Sequence, residues 1–173
     1  MTAVDAPSRG GGTMTRTLIL LRHAKSAWPE GIPDAQRPLA GRGRRDAPAV
    51  GRWLRGQAAK IDLVLCSPAV RAVQTWDLAV AQLDAKPQVR HDERLYGACA
   101  EELLRVTQQL PHQASTVVLV GHNPGLEDFL ELLTGSVEVL RTSAIAVLGT
   151  PATWADAKAR SWTLKTVATP RGG

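Results

Sequence analysis

Thr17-Leu18-Ile19-Leu20-Leu21-Arg22-His23 is an apolar run that stops abruptly on a cation and an imidazole. Its continuous hydrophobicity and short length are those of a strand covered on both faces. The design recurs at Thr116-Val117-Val118-Leu119-Val120-Gly121-His122-Asn123-Pro124. Two such strands, each delivering one histidine at its carboxyl end, put two imidazoles at one rim of a sheet, where open α/β folds hold their ligands. Arg22 beside the first histidine adds a fixed cation whose donor fork matches phosphate oxygens. The pattern therefore points to phosphate chemistry on an imidazole nucleophile.

Outward from these strands the chain alternates strand and helix. A loop over 22–38 leads to an amphipathic helix from about Gly41 to Gln57. Pro48 falls inside that span, so either the helix starts nearer Arg45 to Ala47 or it kinks. Asp62 to Cys66 reads as a short buried strand, and Ser67-Pro68 as the N-cap and first position of a helix to about Leu83, with Val70, Val73, Thr75, Leu78 and Leu83 inward. Pro87 and the stretch 88–91 predict a brief edge strand, and a third helix follows near 99–110. After strand 116–120 comes a helix carrying Leu126, Phe129, Leu130, Leu132 and Leu133, closed by Thr134-Gly135, then strands at 143–149 and 160–167. The expected fold class is α/β: a single-domain three-layer α/β/α sandwich on a mostly parallel sheet, with antiparallel pairing at the carboxyl-terminal edge.

A length of 173 residues suits one domain. Its body is expected over 16–168, between an N-terminal tail of 1–15 and a loose end at 169–173, both with little to bury. Met14-Thr15-Arg16 reads like a natural beginning, a point N-terminal sequencing would settle. Cys66 and Cys99 have no metal-like spacing and are expected to be inert thiols. No apolar run reaches membrane-spanning length and no signal peptide is evident, so a cytoplasmic protein without a membrane partner is expected.

The net charge of +5 and a pI near 9.8 raise the question of nucleic acid. Arg42, Arg44, Arg45, Arg52 and Arg55 cluster, but they alternate with Ala47, Val50, Trp53 and Leu54 as a solvated helix face does. No stacking platform or nucleic-acid motif accompanies them, so no nucleic-acid partner is expected.

Taken together, Leu21-Arg22-His23-Ala24-Lys25, Cys66-Ser67-Pro68 with Arg71-Ala72-Val73-Gln74-Thr75, and Gly121-His122-Asn123-Pro124 resemble the histidine phosphatase superfamily, which includes the cofactor-dependent phosphoglycerate mutases. The resemblance covers about 17–150, in the superfamily's order. Arg37-Pro38-Leu39, Gly41, Gly43 and the short chain look most like its SixA-type phosphohistidine phosphatase branch. It implies a phosphoglycerate mutase-like fold and a two-step phosphoryl transfer without metal or other cofactor. His23 would attack phosphorus and water would release inorganic phosphate, while Arg22, Arg71 and a protonated His122 neutralise the phosphoryl oxygens.

Glu93, in Asp92-Glu93-Arg94-Leu95-Tyr96-Gly97, falls where relatives carry an acid or base; the other reading is a solvated carboxylate paired with Arg94. The superfamily often has an asparagine six residues after its nucleophile. Pro29 stands there in this chain, leaving Ser26 or Arg37 to supply a polar contact, and Asn123 is a further candidate for binding phosphate. His91 and His112 belong to no motif and are expected to be solvated or capping. The spacing from Arg71 to Glu93 and on to His122 leaves little chain for a lid, which suits a phosphorylated protein as partner. A small phosphorylated substrate uses the same residues, and a non-catalytic phosphate-binding module is the alternative of another class.

Overall fold

The computed structural model describes residues 15–57 and 60–173, so nearly all of the expected N-terminal tail, Met14 included, lies outside the described residues. Six strands form one sheet in the order β3-β2-β4-β1-β5-β6. They are β1 Arg16–Arg22, β2 Leu63–Cys66, β3 Gln88–His91, β4 Thr116–Gly121, β5 Ile145–Thr150 and β6 Thr163–Ala168. The first four are mutually parallel; β5 runs antiparallel to β1, and β6 antiparallel to β5. The helices are α1 Gly41–Gly56, α2 Val70–Val80, α3 Ala100–Gln108 and α4 Gly125–Thr134.

Strand pleating explains the layers. Along β1, Leu18 and Leu20 face one core with Leu63, Leu65, Val117 and Leu119, covered by Leu103 of α3 and Phe129 and Leu133 of α4. Ile19 and Leu21 face the other with Val64, Val118 and Val120, covered by Val50 and Leu54 of α1 and Trp76 of α2. Strands that must be apolar on both faces read as unbroken hydrophobic runs, which is why the central strands are legible in the sequence.

Local chemistry moved several boundaries. α1 passes straight through Pro48, which removes only the bond to the carbonyl of Arg44, an exposed residue; buried Ala47, Ala49, Val50 and Leu54 hold the helix on either side. Gly51 lets α1 cross α2 closely, since a Cβ there would sit 2.0 Å from the Ala79 carbonyl oxygen. α2 starts at Val70 with Ala69 as its N-cap, not at Ser67-Pro68, because the Ser67 hydroxyl is engaged elsewhere. It ends at Val80, where Gln82 and Leu83 donate to carbonyls three residues back. Its fully buried face is Arg71, Ala72, Thr75, Trp76 and Ala79, while Val73 and Leu78 are only partly buried. α4 ends as expected on Gly135, in the left-handed region with φ 77°.

The segment 169–173, read as a loose end, is bonded to α1. Asp46 accepts the Arg171 guanidinium and the Gly172 N–H, each at 2.9 Å, and Arg171 also donates to the Thr142 carbonyl. Cys66 is buried, which pushes its thiol up to about 12, and Cys99 is exposed. No helix among the described residues is long and apolar enough to cross a membrane.

Candidate active site

Register brings the two histidines together. Arg22 of β1 pairs with Gly121 of β4, so His23 and His122 leave adjacent parallel strands at the same level. The His23 N–H donates to the Gly121 carbonyl at 3.1 Å, and the ring centroids lie 5.2 Å apart. This is the rim predicted from the two strand ends.

His23 is 6% exposed. Its Nδ1 lies 2.7 Å from the Ala24 carbonyl oxygen, which can only accept, so Nδ1 carries the proton and Nε2 keeps its lone pair. Burial pushes His23 down to about 3; the Ala24 bond opposes this, and the charges of His122, Arg71 and Arg22 reinforce it. The ring is a neutral base across the physiological range. Thr75 fixes its backbone, accepting the Ala24 N–H at 2.9 Å while donating to the Arg71 carbonyl at 2.6 Å. Gly43 completes the seat, because a Cβ there would meet the Lys25 carbonyl oxygen at 2.1 Å.

His122 Nε2 lies 2.7 Å from the Ser67 hydroxyl oxygen. That hydroxyl can donate to the ring while accepting the Ala69 N–H at 3.3 Å, and the ring proton then sits on Nδ1, a buried atom with no protein partner. Burial and then the Arg71 charge push His122 down to about 4, against the opposing pull of Asp34. The protein alone thus disfavours the protonated His122 expected from sequence; a phosphoryl dianion beside the ring would act in the other direction.

Asp34 ties two arginines into the wall. Arg71 donates to its main-chain carbonyl at 2.7 Å and to its carboxylate at 3.0 Å. Arg37 donates to the other carboxylate oxygen at 3.1 Å, to the Ser26 hydroxyl at 2.9 Å and to the Ala27 carbonyl at 3.2 Å. Tyr96 adds its hydroxyl at 2.5 Å. The Tyr96 hydrogen bond, then Arg71 and Arg37, hold Asp34 far below the usual carboxylate range although burial opposes them. Arg22 donates to the Leu140 carbonyl at 2.9 Å, which Asn123 also reaches at 2.7 Å; Asn123 bonds Glu127 as well. Arg22 Nε and Arg71 Nε, two donors, and Asn123 Oδ1, an acceptor, are buried without protein partners.

Arg22, His23, Ser26, Arg37, Arg71, His122 and Asn123 all line one cavity of about 480 Å³. Glu93 does not: exposed itself, it opens the 3-10 turn Glu93–Leu95, and the carboxylate that pairs with Arg94 there is Asp92, at 2.7 Å. The turn instead delivers Tyr96 to the cavity. Asp34, Thr75, Ser67 and Tyr96 are contributors that the reading of the sequence did not assign. Asp34 left one trace, its place three residues before Arg37. Among the described residues no group of three or more His, Cys, Asp or Glu is placed to hold a metal ion.

Comparison with known proteins places this geometry. Residues 18–140 match the histidine phosphatase superfamily (branch 1). The chain belongs to the histidine phosphatase superfamily. Every residue lining the cavity except Thr142 falls within the matched region, and the sheet and helices are those of the phosphoglycerate mutase-like fold. An uncharacterized protein from Mycobacterium tuberculosis strain H37Rv, Rv1276c, is 42% identical over 147 residues, spanning 79% of this chain and 90% of its own. A SixA-type structure from Nakamurella multipartitia, assigned as a phosphohistidine phosphatase, superposes with a TM-score of 0.80 at 35% identity, covering 90% of this chain and 96% of its own. A second, from Agrobacterium tumefaciens, gives 0.78 at 28% identity, covering 90% and 98%.

Proposed function

We propose that the protein is a metal-independent phosphatase that works through a phosphohistidine on His23 and removes phosphoryl groups from protein histidines. The observation that carries the reading is the Nδ1 bond of His23 to the Ala24 carbonyl, which leaves Nε2 as the lone-pair atom of a buried neutral ring in a cavity lined by Arg22, Arg71 and His122. The Nε2 electron pair forms a bond to phosphorus as the P–N bond of a substrate phosphohistidine already protonated on its other ring nitrogen breaks, and the imidazole departs neutral with the bonding pair. Water then attacks the enzyme's phosphohistidine, inorganic phosphate leaves, and neutral His23 returns. Arg22, Arg71 and the Nδ1–H of His122 are the groups that would meet the charge on the equatorial oxygens.

The leaving group argues for phosphohistidine. Among the described residues Asp34 is the only carboxylate lining the cavity, and it is held ionised, so it cannot lend a proton to an alkoxide. An imidazole departs without strong acid catalysis. The resemblance to SixA-type structures points the same way. A cavity of about 480 Å³ also accommodates small ligands, which supports a phosphomonoester as the second reading.

The test compares wild type and His23→Ala, without added metal, on a phosphohistidine-bearing relay domain and on phosphomonoesters. Turnover of the relay domain that disappears in the variant, with label trapped on His23, is the expected result. A His23-dependent preference for a monoester would move the function to small-molecule metabolism. Absence of any His23-dependent turnover would leave a phosphate-binding module.

A further inference from the structure

The large hydrophobic side chains exposed among the described residues are Trp28, Ile32, Tyr96, Val137 and Val139. Their placement is not scattered. Trp28 and Tyr96 line the cavity, and Ile32 lies on the same loop as Trp28, an excursion closed at its base by a bridge between Ser26 and Leu39. Val137 and Val139, 77% and 70% exposed, immediately precede Leu140, whose carbonyl binds Arg22 and Asn123. Apolar surface scattered singly needs no explanation, but apolar surface gathered on the segments around one cavity marks a place where something large sits.

Trp28 has the character of an anchor. It is 74% exposed, yet its ring is stacked on the Arg37 guanidinium, 3.4 Å from the ring centroid. Arg37 is in turn fixed by Ser26, Ala27 and Asp34. An exposed aromatic held before any partner arrives loses little rotamer entropy on binding, a property of interface hot spots. The same segments carry exposed cations: Lys25 lines the cavity, Arg42 reaches Thr142 at its edge with a 3.1 Å bond, and Arg141 follows Leu140. The carboxylates on these segments are exposed Glu30, partly buried Glu138 and half-exposed Asp34, the last already paired with Arg37 and Arg71, in a chain of net charge +5.

We propose that this rim is the docking surface for the phosphohistidine-bearing protein itself, and that it fits a partner face on which the phosphorylated histidine is surrounded by apolar side chains and carboxylates. The assignment rests on the function proposed above. A small substrate inside the cavity leaves Ile32, Val137 and Val139 untouched, since none of them lines it. A second copy of this chain on the rim would close the cavity of both copies. A protein that presents its phosphoryl group at the centre of the contact uses the cavity, the apolar segments and the cations together.

The experiment compares wild type, His23→Ala, the triple variant Ile32→Ser/Val137→Ser/Val139→Ser and, separately, Arg141→Glu. Each acts on a phosphorylated relay domain and on free phosphohistidine. The altered side chains are exposed and lie outside the cavity, so the rate on free phosphohistidine also checks that the fold is intact. The expected result for both rim variants is a kcat/KM on the relay domain lower by about tenfold or more, carried by KM, with free phosphohistidine changed by less than about twofold. Unchanged kinetics on the relay domain, or equal losses on both substrates, would overturn the docking surface while leaving the phosphohistidine reading in place. Wild type that shows His23-dependent turnover of free phosphohistidine but none of the relay domain would overturn both.

Discussion

Asp34 grips Arg71 twice, through its main-chain carbonyl at 2.7 Å and its carboxylate at 3.0 Å. One residue on a half-exposed turn therefore sets the plane of a guanidinium that is itself 5% exposed. The carboxylate also takes Arg37 and the Tyr96 hydroxyl, so the wall of the cavity is a single hydrogen-bonded unit with an anion at its centre.

Asp34→Asn breaks that unit, because an amide cannot offer two anionic oxygens to two guanidinium groups. The expected outcome is a loss of about tenfold to a hundredfold in kcat/KM with a small change in stability, since the carboxylate is 51% exposed and screened. Tyr96→Phe should cost less, and a double-mutant cycle should show the two losses to be non-additive. Additive losses would mean that the bonds act independently.

Thr75→Val tests the seat of the nucleophile. The substitution keeps volume but removes the acceptor of the Ala24 N–H in a fully buried position, at a cost of about 1–3 kcal/mol. A lower thermal midpoint, together with a lower kcat on phosphohistidine, is the expected pair of results, and Thr75→Ser should restore both. A drop in stability with kcat unchanged would reduce Thr75 to a core residue.

What could be read from the sequence was what periodicity or local chemistry controls. The continuous apolar runs before His23 and His122 betray central strands, and the strand register then brings the two rings together. The links between Asp34 and Tyr96, 62 residues apart, and between Ser67 and His122, 55 apart, have no periodic signature. Ser67-Pro68 has the chemistry of a helix start, yet a distant imidazole claims the hydroxyl and the helix begins later. Glu93 occupied a promising position in the sequence, but the turn aims Tyr96, not Glu93, at the cavity.

Both site histidines should make stability depend on pH in a window set by their shifts. In the unfolded chain each binds its proton near 6.5, whereas burial delays this to about 4 for His122 and about 3 for His23 in the fold. Between those limits the unfolded state holds more protons, so stability is full above about 6.5 and falls as pH drops toward 4. Denaturant midpoints at pH 7 and 4.5 should differ less in His23→Gln/His122→Gln than in wild type. Nuclear magnetic resonance should find both rings neutral at pH 5, with His122 alone gaining a proton at higher pH when phosphate is added. A ring titrating near 6.5 in the phosphate-free protein would contradict the burial argument.

The carboxyl-terminal contact yields a prediction on stability and a second on the site. Asp46 is 1% exposed and accepts from the Arg171 side chain and the Gly172 N–H, with Arg42 more distant at 3.6 Å. Arg171→Ala leaves that carboxylate with one main-chain donor and a longer ion pair, which should cost about 2–3 kcal/mol because a buried charge loses its nearest cation. Asp46→Asn in the same background should recover part of the loss, because a neutral amide needs no counter-charge. Arg171 also bonds the carbonyl of Thr142, and Thr142 lines the cavity, so the single variant should raise KM while leaving kcat nearly unchanged. A destabilised protein with unaltered KM would show that the end of the chain holds α1 without reaching the site.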